Sequence, residues 1–87
     1  MTNEPPLIRL AAVQTLERAL RLTPRQAEVL HWLAEGKTNQ EISEILECSF
    51  FTVKNHLKGI FQRLCVSSRV AAAATACRAL SSPPQRG

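Results

Sequence analysis

Residues 38–58 read TNQEISEILECSFFTVKNHLK, and their spacing fits two helices separated by one short turn. The first opens on a capping box: Thr38 can accept from the Glu41 amide while the Glu41 carboxylate reaches back to the Thr38 amide. Ile42, Ile45 and Leu46 follow at helical spacing and are expected to face a core, with the helix ending near Glu47. Glu47-Cys48-Ser49 leaves room only for a tight turn. Ser49 is then placed to cap a helix running from about Phe50 to Leu64. Helices joined by so short a connection cross steeply, which is the helix-turn-helix geometry. A steep crossing lets the second helix protrude, so that it can enter a groove.

Setting 100° per residue around that second helix divides it in two. Phe50, Val53, Leu57, Ile60, Phe61 and Leu64 share a face expected to be core, and Phe51, Lys54, Asn55, Lys58 and Gln62 lie opposite. Lysine can donate to guanine, asparagine can pair with adenine, and an aromatic ring can sit on a thymine methyl. Lys54, Asn55, Lys58 and Phe51 are therefore the candidates for reading bases in a major groove. A solvated helix face would use some of the same residue types. The capped turn before them and the lack of acid after them favour DNA. His56, at the edge of the apolar face, reads as a packing or phosphate-bonding residue rather than a metal ligand or catalyst.

Working outward, the charge is segregated along the chain. Met1 to Glu47 carries five basic and all seven acidic residues, net −2. From Cys48 on there are six basic residues and no acid, net +6. Such a cationic half attracts phosphate. Helical spacing extends to both sides. A helix is expected from about Pro6 to Leu22, capped by Asn3, with Ile8, Ala12, Val13, Leu16, Ala19 and Leu20 as its apolar stripe. Another runs from Pro24 to Glu35, with Thr23 as N-cap and Gly36 as the left-handed residue beyond its end. A last helix covers about Ser68 to Leu80, followed by a disordered tail over 81–87. The fold class expected is all-α, in one small domain. Cys48, Cys65 and Cys77 match no paired motif and are read as reduced thiols filling small buried spaces, not as metal ligands with His31 or His56. No metal and no cofactor is expected. No apolar run approaches the roughly 20 residues of a membrane span, and no signal peptide is legible at the N-terminus, so a cytoplasmic chain without a membrane partner is expected.

The stretches Leu22-Thr23-Pro24-Arg25-Gln26-Ala27-Glu28-Val29-Leu30, Ala34-Glu35-Gly36-Lys37-Thr38-Asn39-Gln40-Glu41-Ile42, Ser49 and Thr52-Val53-Lys54-Asn55-His56, continuing through Ile60, Leu64, Ser68-Arg69 and Ala72, resemble the LuxR-type (GerE, NarL/FixJ) helix-turn-helix domain. The resemblance covers about 55 residues, Leu22 to Ala76. It implies a four-helix domain, here residues 22–80, that binds double-stranded operator DNA as a homodimer and regulates transcription. Residues 1–21 would be an added N-terminal helix or linker extension. By position it implies base reading by Lys54, Asn55 and Lys58, and phosphate contacts from Thr38, Thr52, Ser68, Arg69, Lys37 and Arg25. It also implies dimer contacts through the last helix, where Val70, Ala73, Ala74, Cys77 and Leu80 line one side. Phe50-Phe51 departs from the family's small or polar residues, Ser43 stands for a usual alanine, and Cys65 stands where Gly or Asn usually provides φ > 0.

Other readings are weaker. Gly36-Lys37-Thr38 lacks the upstream glycine and strand of a phosphate-binding loop, and a chain with no Asp lacks the orienting acid of a nucleophile-base pair. An enzyme is not expected. The main alternative is a helix-turn-helix co-regulator or antagonist that works by binding protein, such as RNA polymerase or another regulator, through Phe51 and the alanine face. The related DNA-binding region of sigma factors fits Asn55-His56 less well.

Overall fold

A computed structural model describes residues 6–81, with side chains from Arg9 onward. Five helices follow in order: α1 Pro6–Leu20, α2 Pro24–Ala34, α3 Asn39–Ile45, α4 Phe50–Leu64 and α5 Arg69–Ser81. The fold is all-α, as the spacing predicts, and its shortest extent of 20 Å is two helix diameters. The expected Asn3 cap and residues 82–87 of the expected tail lie outside the described residues. Ser81 is still helical.

Each boundary has a local cause. Thr23 closes a capping box with Gln26 ahead of Pro24, which suits a first turn because it has no amide to leave unpaired. At the other end of α2 the Lys37 amide donates to the Trp32 carbonyl (3.0 Å) and the Gly36 amide to Leu33 (3.0 Å). This cross-over requires the φ of +90° that Gly36 adopts. α1, α3 and α4 end the same way without glycine, at Arg21 (φ 57°), Glu47 (φ 55°) and Cys65 (φ 58°). Arg21 stops α1 two residues short of the expected Leu22, and Glu47 leaves α3 only seven residues long.

α2 is the hub: α1, α3, α4 and α5 all pack on it, so Val29 to Leu33 are buried in succession. His31 is buried among them, its ring edge-on to Trp32 at 4.7 Å. Val13 and Leu16 of α1, Ile42 of α3, Val53, Leu57 and Ile60 of α4, and Ala72 and Ala76 of α5 complete the core. Alanines on α5 let its backbone approach α2 closely.

Several expected core residues are not core. Phe50 is 46% exposed, because in the first turn of α4 it lines an open depression with Lys37, Asn39 and Arg69 instead of entering the core. Ile45 is 41% exposed and, with Leu10 and Val13, lines a groove of about 370 Å³ between α1 and the short α3. Ala19 is exposed, and Phe61, Leu64 and Leu46 are half-buried. The cysteines do not fill buried spaces either. Cys65 sits in an exposed left-handed turn, Cys77 lies on the outer side of α5, and Cys48 is half-buried in the turn between α3 and α4.

Candidate nucleic-acid interface

α4 owes its orientation to the turn before it. The Cys48 amide donates to the Ser43 carbonyl (3.0 Å), closing α3. Ser49 then starts α4 by accepting from the Thr52 amide (2.9 Å). The apolar side of α4 packs on α2 and α3. Phe51, Lys54, Asn55, Lys58 and Gln62 are all exposed on the other side. Phe51 is 68% exposed, an unusual degree for an aromatic side chain. The Lys54 ammonium stands 6.0 Å from the Phe50 ring centroid, a weak attraction that tethers the lysine at the start of the helix.

The phosphate candidates divide. Thr38 is exposed at the head of α3, where its amide donates to Glu41 (2.8 Å) and its hydroxyl accepts from the Glu41 amide (3.1 Å). That bond from the Thr38 amide, with the Lys37 charge nearby, holds the Glu41 carboxyl below the usual carboxylate range. Ser68 is exposed at the head of α5 and caps the Ala71 amide (3.1 Å). Thr52 is half-buried and shares a hydrogen bond with Ser49 (2.8 Å). Arg25 is paired with Glu28 at 2.7 Å, which offsets its charge.

Arg69 has a role that its position in the sequence does not reveal. Its guanidinium donates to Asn39 Oδ1 (2.5 Å) and to the Lys37 carbonyl (2.7 Å). The head of α5 is thereby tied to the head of α3, and Lys37, Thr38, Asn39 and Arg69 are drawn to one side of α4. Lys54 and Lys58 look into the same depression as Asn39 and Arg69. Sequence reasoning missed both Asn39 and the Thr23–Gln26 box. The box had a signal, Thr followed three residues later by Gln; the Asn39–Arg69 pair, thirty residues apart, had none.

On α5, Val70 is 79% exposed, Ala74, Cys77 and Leu80 are exposed, and Ala73 is half-buried. α1 packs against α5 but leaves this stripe open. Among the described residues no group of three His, Cys, Asp or Glu could hold a metal ion, and no helix is long and apolar enough to cross a membrane.

Comparison with known proteins agrees with this architecture. The family model described as "Bacterial regulatory proteins, luxR family" matches residues 20–76. The quorum sensing-dependent transcriptional regulator RpaR of Rhodopseudomonas palustris is 49% identical over 59 residues, covering 68% of this chain and 24% of the relative. The transcriptional regulatory protein LiaR of Bacillus subtilis is 49% identical over 57 residues, 66% of this chain and 27% of the relative. The nitrate/nitrite response regulator NarP of Escherichia coli is 47% identical over 51 residues, 59% of this chain and 24% of the relative. The matches thus span about a quarter of each relative. No solved structure gives a significant match. With the family model covering most of the chain and the helix-turn-helix in its expected place, this protein belongs to the luxR family of bacterial regulatory proteins.

Proposed function

We propose that the chain is a sequence-specific DNA-binding module of a transcriptional regulator that inserts α4 into the major groove. The observation that carries this reading is the exposed stripe of Phe51, Lys54, Asn55 and Lys58 on a capped helix whose opposite side is core. Lys54, Asn55 and Lys58 read base edges and Phe51 meets a thymine methyl. Thr38, Lys37, Ser68 and Thr52 bond phosphates. Arg69 acts on the phosphates with the donors that Asn39 and Lys37 leave unused, and Arg25 contributes least because Glu28 competes for it. The reading domain covers residues 22–80, and 1–21 form an extension beside it.

The module works as a homodimer through Val70, Ala73, Ala74, Cys77 and Leu80, of which all but the half-buried Ala73 are exposed on α5. A two-fold pair reads an inverted repeat with half-sites about one helical turn apart. One selection of bound sequences from a random DNA pool tests the whole reading. It is expected to return an inverted repeat; a pool that stays random removes base reading, and a single unrepeated half-site removes the dimer.

A second reading rests on the exposure of Phe51 and Val70 together. In it the chain is a co-regulator or antagonist that docks on RNA polymerase or another regulator. Its signature is DNA binding that is weak and blind to sequence, with Phe51→Ala abolishing capture of the protein partner.

A further inference from the structure

The reading stripe of α4 is a ridge between two troughs. On one side Lys54, Lys58 and Phe61 face Asn39 and Arg69 across a depression of about 430 Å³. On the other, Gly59, Gln62 and Arg63 face Arg21, Thr23 and Gln26 across a larger one of about 570 Å³. At 100° per residue, Gly59 and Arg63 fall to one side of the line through Asn55 and Gln62, and Lys54 and Phe61 to the other. A helix lying in a major groove has this surrounding in negative. It sits between two sugar-phosphate backbones, one from each strand, in a groove about 12 Å wide.

The first trough holds Arg69, already a phosphate candidate, beside the head of α3. The second contains residues to which no part in DNA binding has been given. Two guanidinium groups line it, and no carboxylate does. Neither Arg21 nor Arg63 has an ion-pair partner among the described residues, in contrast to Arg25. Gln26 Oε1 accepts from the Thr23 amide (3.1 Å), so the carboxamide is fixed and its NH₂ is left as a donor on the trough wall. A Cβ at position 59 would come within 2.7 Å of that nitrogen, so glycine there lets the amide lie against α4. Such a wall of donors suits a phosphodiester, and planar guanidinium groups suit its paired oxygens.

We propose that Arg21, Gln26 and Arg63 form a second phosphodiester site, gripping the strand opposite the one that faces Lys37, Thr38 and Arg69. This rests on the major-groove reading of α4. Binding of the 87-residue chain to a selected duplex is measured across a salt series, for wild type and for Arg21→Gln/Arg63→Gln, with Arg18→Gln, an exposed arginine of α1 outside both troughs, as control. The double variant is expected to lower the log–log salt slope by about 0.9 for each phosphate it no longer neutralises, about 1.8 for two, while keeping the selected sequence preference. Replacing single phosphates by neutral methylphosphonates on the flanking strand should weaken wild type and leave the double variant unaffected. Both arginines are exposed, and an unchanged heat-denaturation midpoint verifies that the variant folds. A variant slope equal to that of wild type overturns the site while the reading stands. Wild type without sequence preference overturns the reading, and the slope difference, measured then on a random duplex, still decides the site. If the arginines govern protection by inorganic phosphate against heat but not DNA binding, the site serves a free anion and its assignment to the strand falls.

Discussion

Arg69 already serves two neighbours within the chain, and this changes what its removal should do. Hydrogen bonds from a charged group are worth about 1.5–3 kcal/mol. Arg69→Ala is thus expected to destabilise the fold by that order in urea denaturation, as well as to weaken all DNA sequences alike. Arg69→Lys should not restore the stability, because an ammonium cannot reproduce the fork that bridges Asn39 and the Lys37 carbonyl. An unchanged denaturation midpoint for Arg69→Ala would remove the bridge from the account. Lys58 has no such second duty: Lys58→Ala should cost about 1–3 kcal/mol in binding and relax preference at one base position, with folding unaffected. Cys65 offers the opposite sign. Its left-handed φ of 58° penalises any side chain, so Cys65→Gly is expected to stabilise by about 0.5–1 kcal/mol in the same urea titration. Residue chemistry of this kind was legible in the sequence as residue type and position. What could not be read there was the partner: the wheel gives Phe50 an angle, yet only the arrangement of the other helices decides whether anything covers that angle.

At the level of elements, the capping boxes explain why short helices persist. α3 has seven residues, too few to be stable alone, so its first turn depends on the Thr38–Glu41 exchange. Thr38→Ala should cost about 1 kcal/mol. The Glu41 carboxyl titrates lower in the folded chain than in the unfolded one. Its contribution is therefore present at neutral pH and above the unfolded value, and is lost as pH falls through the folded value. The thermal denaturation midpoint of wild type should fall on that acid side, and Glu41→Gln should lessen this loss because the amide does not titrate there. Identical acid profiles would remove Glu41 from the acid limb. Element starts were the most legible part of the sequence, since Thr23, Thr38 and Ser49 each announce a cap, whereas Ser68, expected as the first residue of the last helix, proves to be its cap. Ends were less so where Arg21 and Glu47 do the work usually given to glycine. The backbone adopts the left-handed turn there because it pairs the last carbonyls, whatever side chain is present.

Across the whole molecule, α2 carries the packing of every other helix, and the added α1 joins the same core through Leu16. Leu57→Ala and Leu16→Ala are both expected to cost about 2–5 kcal/mol, measured by denaturation. A cost near zero for Leu16 would mean that α1 is not part of the cooperative unit. The division between an acid-bearing half and a basic half was plain in the sequence, and it corresponds to the cationic side built on α4 and α5. The second trough beside α4 was not, because Arg63 lies far along the chain from Arg21 and Gln26 and meets them only once α2 and α4 are packed.

The chain has a single tryptophan and no tyrosine, and Trp32 is 3% exposed, with the Arg9 guanidinium 5.8 Å from its ring. Indole emission from this protein consequently comes from one spot, at the seam between α1 and α2, in the wall of a groove to which no residue of the α4 stripe contributes. Undocking of α1 should shift that glow to longer wavelength, whereas loading α4 with a ligand should leave its colour alone, so a plain fluorimeter can tell the two events apart without any label.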